Sequence, residues 1–152
     1  MNWRDTADFS KLKDITQAYA VIFDEQGRIV LVTTSNGSGW TLPGGKPEPN
    51  ESFEETVKRE VMEEANVSIE NITPLGYVEV KPDEGKEFQQ LRFAATIKKI
   101  FEQKKDPANG ILRQRVFVDP KNFNAYAHWS VIGMHIITKA VAWHDSLKKN
   151  RP

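Results

Sequence analysis

Residues 45 to 67 read GKPEPNESFEETVKREVMEEANV, and the way this stretch folds decides how the rest is arranged. Ser52 followed three residues later by Glu55 is a capping-box pattern, which starts a helix by satisfying two orphan backbone donors reciprocally. Phe53, Val57, Val61 and Ala65 recur at fourfold spacing and form one apolar stripe, so the spacing predicts an amphipathic helix over 53–65. At about 100° per residue, Glu60 and Glu64 fall beside Phe53 on the wheel, with Glu63 and Thr56 on the adjoining flank. Glu60/Glu64 and Glu60/Glu63 are like-charge pairs one turn apart, each costing a helix roughly 0.2–0.5 kcal/mol and more where water is excluded. Runs of Glu on exposed helices are common, so the charge pattern alone favours a solvated acidic face. The position of these carboxylates beside the apolar stripe points the other way, to a hard divalent cation that neutralises them.

The covalent context tips the balance. The stretch runs Gly45, five residues, Glu51, seven residues, then Arg59-Glu60-Val61-Met62-Glu63-Glu64-Ala65-Asn66-Val67. This resembles the Nudix box, the signature of the Nudix hydrolases, at every specified position except the last glycine, where Asn66 stands. Asn is the next most tolerant residue of the left-handed conformation required just after a helix end. The preceding Trp40-Thr41-Leu42-Pro43-Gly44-Gly45 is similar to the lead-in of many members, and Pro-Gly-Gly-Lys is similar to the MutT-like, nucleotide-pool sanitising branch.

A chain of 152 residues is sized for one domain with its own core, here expected over 16–150 after an N-terminal arm at 1–15 that carries isolated Trp3 and Phe9. Lys plus Arg equals Asp plus Glu at 21 each, which argues against wholesale electrostatic binding of nucleic acid. The absence of Cys excludes disulfides, thiolate metal sites and Cys nucleophiles, and suits a reducing compartment. No secretion signal and no apolar run of membrane-spanning length is read, so a cytoplasmic location is expected. A homodimer is compatible with the sequence.

Strands are expected at 17–23 and 28–33 around the turn Asp24-Glu25-Gln26-Gly27, and again at 67–69, 75–81, 88–100 and 112–118. Ser35 to Gly39 is a loop delivering Trp40 and the Pro-Gly-Gly turn, whose two glycines permit close backbone approach to a ligand. Asp119-Pro120 opens the crossing to a terminal helix over about 129–148, with Ile132, His135, Ile136, Lys139, Ala140 and Trp143 near helical spacing. Strands on both sides of an inner helix, plus a terminal helix, imply a mixed sheet between helices. The resemblance implies the same α/β/α sandwich.

What the resemblance implies about chemistry is hydrolysis of a diphosphate bond in a nucleoside diphosphate derivative, assisted by Mg²⁺ or Mn²⁺. Such an ion prefers oxygen donors, is shared with substrate phosphates, and can orient and acidify a water. Carried over residue by residue, Glu60 and Glu64 are the principal ligands, Glu63 a further ligand or water-activating base, and the Gly44 carbonyl an extra ligand. Arg59 and Glu51 form an orienting ion pair. An additional acid from a later loop is expected among Glu84, Glu87, Glu102 and Asp106. Lys46, Trp40 and Arg92 are candidates for substrate contact, and Arg113 and Arg115 for phosphate. Each has a plainer reading: a solvated loop lysine, a core aromatic, a strand arginine in an ion pair. Tyr77, Phe88 and Phe117 are candidates for base stacking and more simply core. His128, His135 and His144 have no metal spacing to the Glu cluster and read, with Trp129 and Trp143, as packing or surface residues. The alternatives are a Nudix-fold binding or sensing module without turnover, and an isopentenyl diphosphate type isomerase, which the lack of Cys disfavours.

Overall fold

β2 (Ile15–Phe23) and β7 (Phe88–Ile100) run parallel at the centre of one mixed sheet in this computed structural model, which describes residues 1–150. Outward from β7 lie β6 (Val67–Val80) and the edge strand β1 (Asn2–Asp5); outward from β2 lie β3 (Ile29–Thr33) and β4 (Trp40–Thr41). The two-residue β5 (Gly44–Gly45) pairs with β2, and β8 (Arg115–Val118) pairs with β3. All pairings other than β2 with β7 are antiparallel.

Strict alternation on the inner strands gives the sheet two apolar faces. Ala18, Ala20 and Ile22 of β2, with Val30 and Val32 of β3, pack against Val57, Val61 and Ala65 of α1 (Phe53–Ala65). Val21, Phe23, Ile29 and Leu31 point the opposite way, into a cluster with Ile136, Ile137 and Ala140 of α3 (Ser130–Lys149). Each Val, Leu, Ile or Phe among these, removed from water, contributes roughly 1.5–3 kcal/mol, and each Ala less. The result is the helix–sheet–helix sandwich that the strand and helix order predicts.

The predicted capping box of α1 is present: the Glu55 N–H donates to Ser52 Oγ at 3.2 Å and the Ser52 N–H to Glu55 Oε1 at 3.4 Å. At the far end Asn66 takes the left-handed conformation, φ 54°, and its N–H closes on the Met62 carbonyl. Its side chain does what a glycine could not. Nδ2 donates to the Met62 carbonyl at 2.9 Å, and Oδ1 accepts the Lys104 N–H at 2.8 Å, tying the loop after β7 to the helix end.

Three expectations change, and a fourth gains detail. The 1–15 segment, expected as an arm that orders on contact, puts its first residues into the sheet as β1 against β6, while Phe9 packs edge-on to Phe93 with ring centroids 5.3 Å apart. The two strands expected over 67–81 are one long β6 with register shifts, because Asn71 (φ 57°) absorbs a bulge that reverses which residues face each layer. The strand expected over 112–118 is shortened to 115–118. A 3-10 turn, Pro120–Asn122, and the short α2 (Phe123–Ala127) fill the crossing to α3. On α3 the buried line is Gly133, Ile136, Ile137, Ala140 and His144, whereas His135 and Lys139 face outward. Among the described residues no helix is long and apolar enough to cross a membrane.

Candidate active site

The Pro-Gly-Gly turn lies directly on the acidic flank of α1. Gly44 and Gly45 pair with Tyr19 and Ala18 of β2. A Cβ on Gly44 would stand 2.3 Å from the Ala18 carbonyl oxygen, and one on Gly45 would stand 2.6 Å from the Glu60 carboxyl carbon. Only glycine lets backbone approach both the strand and the carboxylate this closely.

Glu64 is the innermost acid, with its side chain 2% exposed. Oε1 accepts the Gly44 N–H at 3.1 Å and Oε2 lies 3.3 Å from Arg113 Nη1. Burial pushes its pKa up to about 8, aided by Glu60 and Asp106 and opposed by Arg113 and the Gly44 N–H. Glu60 and Glu63 are also raised, in both cases chiefly by burial; Asp106 adds to both, and Arg59 opposes.

Arg59 links these acids to the turn. It forks onto Glu51 through Nε (2.8 Å) and Nη2 (3.0 Å), reaches Glu60 at 2.9 Å and Glu63 at 3.3 Å through Nη1, and donates to the Lys46 carbonyl at 2.9 Å. Glu51 also accepts the Thr56 hydroxyl and the Glu48 N–H. The Arg59 contact, then those two donors, hold the Glu51 pKa down at about 2. The predicted Arg59–Glu51 ion pair is therefore a fixed strut that orients its neighbours.

The donor set suits a hard divalent ion, since it is all oxygen, dehydrated and mutually repulsive. As the side chains stand, no three His, Cys, Asp or Glu among the described residues converge into a ready cage. Two guanidiniums, Arg59 and Arg113, cover the three carboxylates instead. The contact seen from Gly44 is through its N–H, not the carbonyl expected as a ligand.

Of the later-loop acids, Asp106 is buried and its charge raises all three α1 glutamates, while Glu84, Glu87 and Glu102 are exposed. Lys46 projects into solvent. Trp40 is half-buried and edge-on to Tyr126. Arg115 donates to the carbonyls of Ala65 and Phe101, capping the end of α1. Tyr77 and Phe117 pack on the α1-side core, and Phe88, at the head of β7, is half-buried. His144 stacks flat on Phe23, as a packing residue would.

Arg92 is the surprise. It is buried beneath a cleft of about 420 Å³ between the sheet and the start of α3, with its guanidinium 4.7 Å from the Tyr19 ring centre and 5.3 Å from that of Trp129. Next to it Gln90 donates to Gln17 Oε1 at 2.6 Å, and Gln17 Oε1 also accepts from the Tyr19 hydroxyl at 3.0 Å. Sequence reasoning missed this group apart from Arg92. The available signal was polar residues at alternate positions, 17 and 19, 90 and 92, on strands that otherwise bury both faces.

The NUDIX domain family model matches residues 14–133. A curated relative from Bacillus subtilis (strain 168) named "Putative 8-oxo-dGTP diphosphatase" is 40% identical over 47 residues, 31% of this chain. The match spans about a third of that relative, 32% of its length. The fold is shared with a mutant of the Bacillus subtilis pyrophosphohydrolase BsRppH, at TM-score 0.66 and 24% identity, covering 97% of this chain and 88% of the other. It is shared too with the mutator MutT protein from Bacillus halodurans, at TM-score 0.65 and 23% identity, covering 85% and 82%. A C. elegans Ap4A hydrolase has TM-score 0.67 at 19% identity, covering 88% and 99%.

Proposed function

The chain belongs to the NUDIX family, and from that premise we propose that it is a divalent-metal-dependent pyrophosphohydrolase acting on a nucleoside diphosphate derivative. The observation that carries the reading is Glu64, a carboxylate buried beside Glu60 and Glu63 under a glycine turn with no room for side chains. Burying a like-charged group costs stability that a core without a function has no reason to bear. Diphosphatase, pyrophosphohydrolase and Ap4A hydrolase are the activities named for its relatives, and we carry over only hydrolysis of a diphosphate bond.

In this reading Glu60 and Glu64 would hold Mg²⁺ or Mn²⁺, which when bound would neutralise phosphate charge and acidify a water. Glu63, on the same acidic flank and reached by Arg59 Nη1 at 3.3 Å, is either a further ligand or the base that takes the proton from the attacking water. The water oxygen bonds to phosphorus as the bridging P–O bond breaks, and the leaving phosphate carries away the electron pair. Arg59, anchored on Glu51, keeps Glu60 and Glu63 aimed at the turn. Asp106 is the later-loop acid in this scheme, because its charge is felt by all three glutamates. The substrate is a small nucleotide, and the zero Cys count suits action in the cytoplasm.

Incubation of the pure protein with Mg²⁺ and ADP-ribose, dinucleoside polyphosphates, nucleotide sugars, capped RNA, and normal and oxidised dNTPs tests this. At least one should yield separable phosphate-containing products. Binding without any product at high protein concentration would favour a non-catalytic nucleotide-binding module.

A further inference from the structure

Two arginines face the α1 carboxylates, and they are held in different ways. Arg59 is fixed: it forks onto Glu51 at 2.8 and 3.0 Å and donates to the Lys46 carbonyl at 2.9 Å. Arg113 makes a looser contact. Its Nη1 donates to the Thr33 carbonyl at 3.2 Å and meets Glu64 Oε2 at 3.3 Å. That ion contact is longer than the roughly 2.7–2.9 Å of a good charge-assisted hydrogen bond. Its buried Nε has no hydrogen-bond partner among the described residues. A guanidinium with an unspent buried donor is poorly satisfied where it lies, and gains from a second position that offers an acceptor or water.

The backbone beneath it does not share that looseness. The Thr33 N–H donates to the Gln114 carbonyl at 2.9 Å, and the Gln114 N–H donates to Thr33 Oγ1 at 3.0 Å. The Arg113 carbonyl accepts the Gln103 side-chain amide at 2.7 Å. With its main chain pinned, Arg113 can leave Glu64 by turning its side chain alone, and the loop that carries Asp106 stays in place.

Glu64 makes that movement consequential. Oε1 accepts the Gly44 N–H, so Oε2 is the freer oxygen, and Arg113 already stands against it. A carboxylate only 2% exposed needs a positive partner, because an unpaired buried charge is strongly destabilising. A divalent ion meets that need with twice the charge and repels a guanidinium at the same oxygen.

Resting on the hydrolase reading above, we infer that Arg113 is a displaceable counter-cation: it holds Glu64 until a divalent ion takes Oε2, then swings off. It is a positioning residue that acts through Glu64, and breaking its contact lowers the metal affinity of the site. An arginine that orients Glu64 for the ion and stays there would have the opposite effect, since its removal would weaken metal binding.

Free Mn²⁺ counted by EPR during titration of the full-length protein tests the inference, at alkaline pH so that protons do not compete for Glu64. Arg113→Gln should bind Mn²⁺ roughly fivefold or more tightly than the wild type, because no contact has to be broken. Equal or weaker binding by a folded Arg113→Gln protein would overturn the inference. A crystal structure of the wild type grown with Mn²⁺ does not depend on the variant folding. Arg113 should have left Glu64 Oε2; its 3.3 Å contact persisting beside a bound ion would show a field effect without displacement and overturn the inference. Identical Mn²⁺ binding by wild type and Glu64→Gln would overturn it together with the metal site of the hydrolase reading. Tighter binding by Arg113→Gln in a protein that hydrolyses no nucleotide would support the counter-cation and remove the hydrolase. Hydrolysis with Mn²⁺ affinity unmoved by Arg113→Gln would do the reverse.

Discussion

Glu64 shows how much one residue's surroundings change its meaning. On a bare helix its charge is ordinary. Beneath Gly44, beside Glu60 and against Arg113, its pKa is pushed up to about 8. The unfolded chain releases this proton near 4.5, so between the two values the folded protein binds the extra proton, and stability must fall as pH rises through that window. Glu51 acts oppositely and lower down: held near 2 by Arg59, it adds stability that is lost only as pH drops below its unfolded value of about 4.5. A chelator-treated sample should therefore lose on the order of 1–3 kcal/mol between pH 5 and 8. Glu64→Gln should flatten that decline in thermal melts while lowering turnover by at least ~100-fold through loss of a metal ligand. A melt that declines as steeply in the variant would show that Glu64 is not the group responsible.

At the scale of the element, α1 was legible from local sequence, because capping box, apolar stripe and stop all lie within sixteen residues of one another. Its departure from the family pattern is better understood from the structure. Asn66 stops the helix as a glycine would and also fastens the loop that carries Asp106. Asn66→Gly keeps the left-handed turn but loses both side-chain bonds, and should cost about 1–2 kcal/mol. Asn66→Ala adds left-handed strain and should cost about 1 kcal/mol more. Denaturant unfolding ranks the three proteins, and faster exchange of the Lys104 amide in both variants would locate the effect; unchanged exchange would break the link to the loop. The strand ends were less legible. The start of β8 is lost where Arg113 turns toward Glu64 and the Thr33 carbonyl, contacts far away in sequence that no local pattern encodes.

Across the whole molecule, the sheet brings together what the chain separates. Gln17 lies beside Gln90 and Tyr19 beside Arg92 in the parallel pairing of β2 with β7. Apolar alternation forecast both strands, but their relative register, and so the cleft, depends on a crossover through α1 and β6. The N-terminal segment was obscure for the same reason: β1 becomes a strand only because β6 offers it an edge. The clustering of the α1 carboxylates was legible from spacing, but not Arg113's hold on Glu64 or that Asp106 is the buried later-loop acid whose charge they feel.

In the proposed function the α1 carboxylates serve metal-dependent cleavage of a diphosphate bond. Its most direct test is a ³¹P NMR time course of the best panel nucleotide with wild-type protein in Mg²⁺, in excess chelator, and with Glu64→Gln in Mg²⁺. New phosphate resonances should appear in the first sample alone. Equal product in chelator, or from the Glu64→Gln protein, would contradict it.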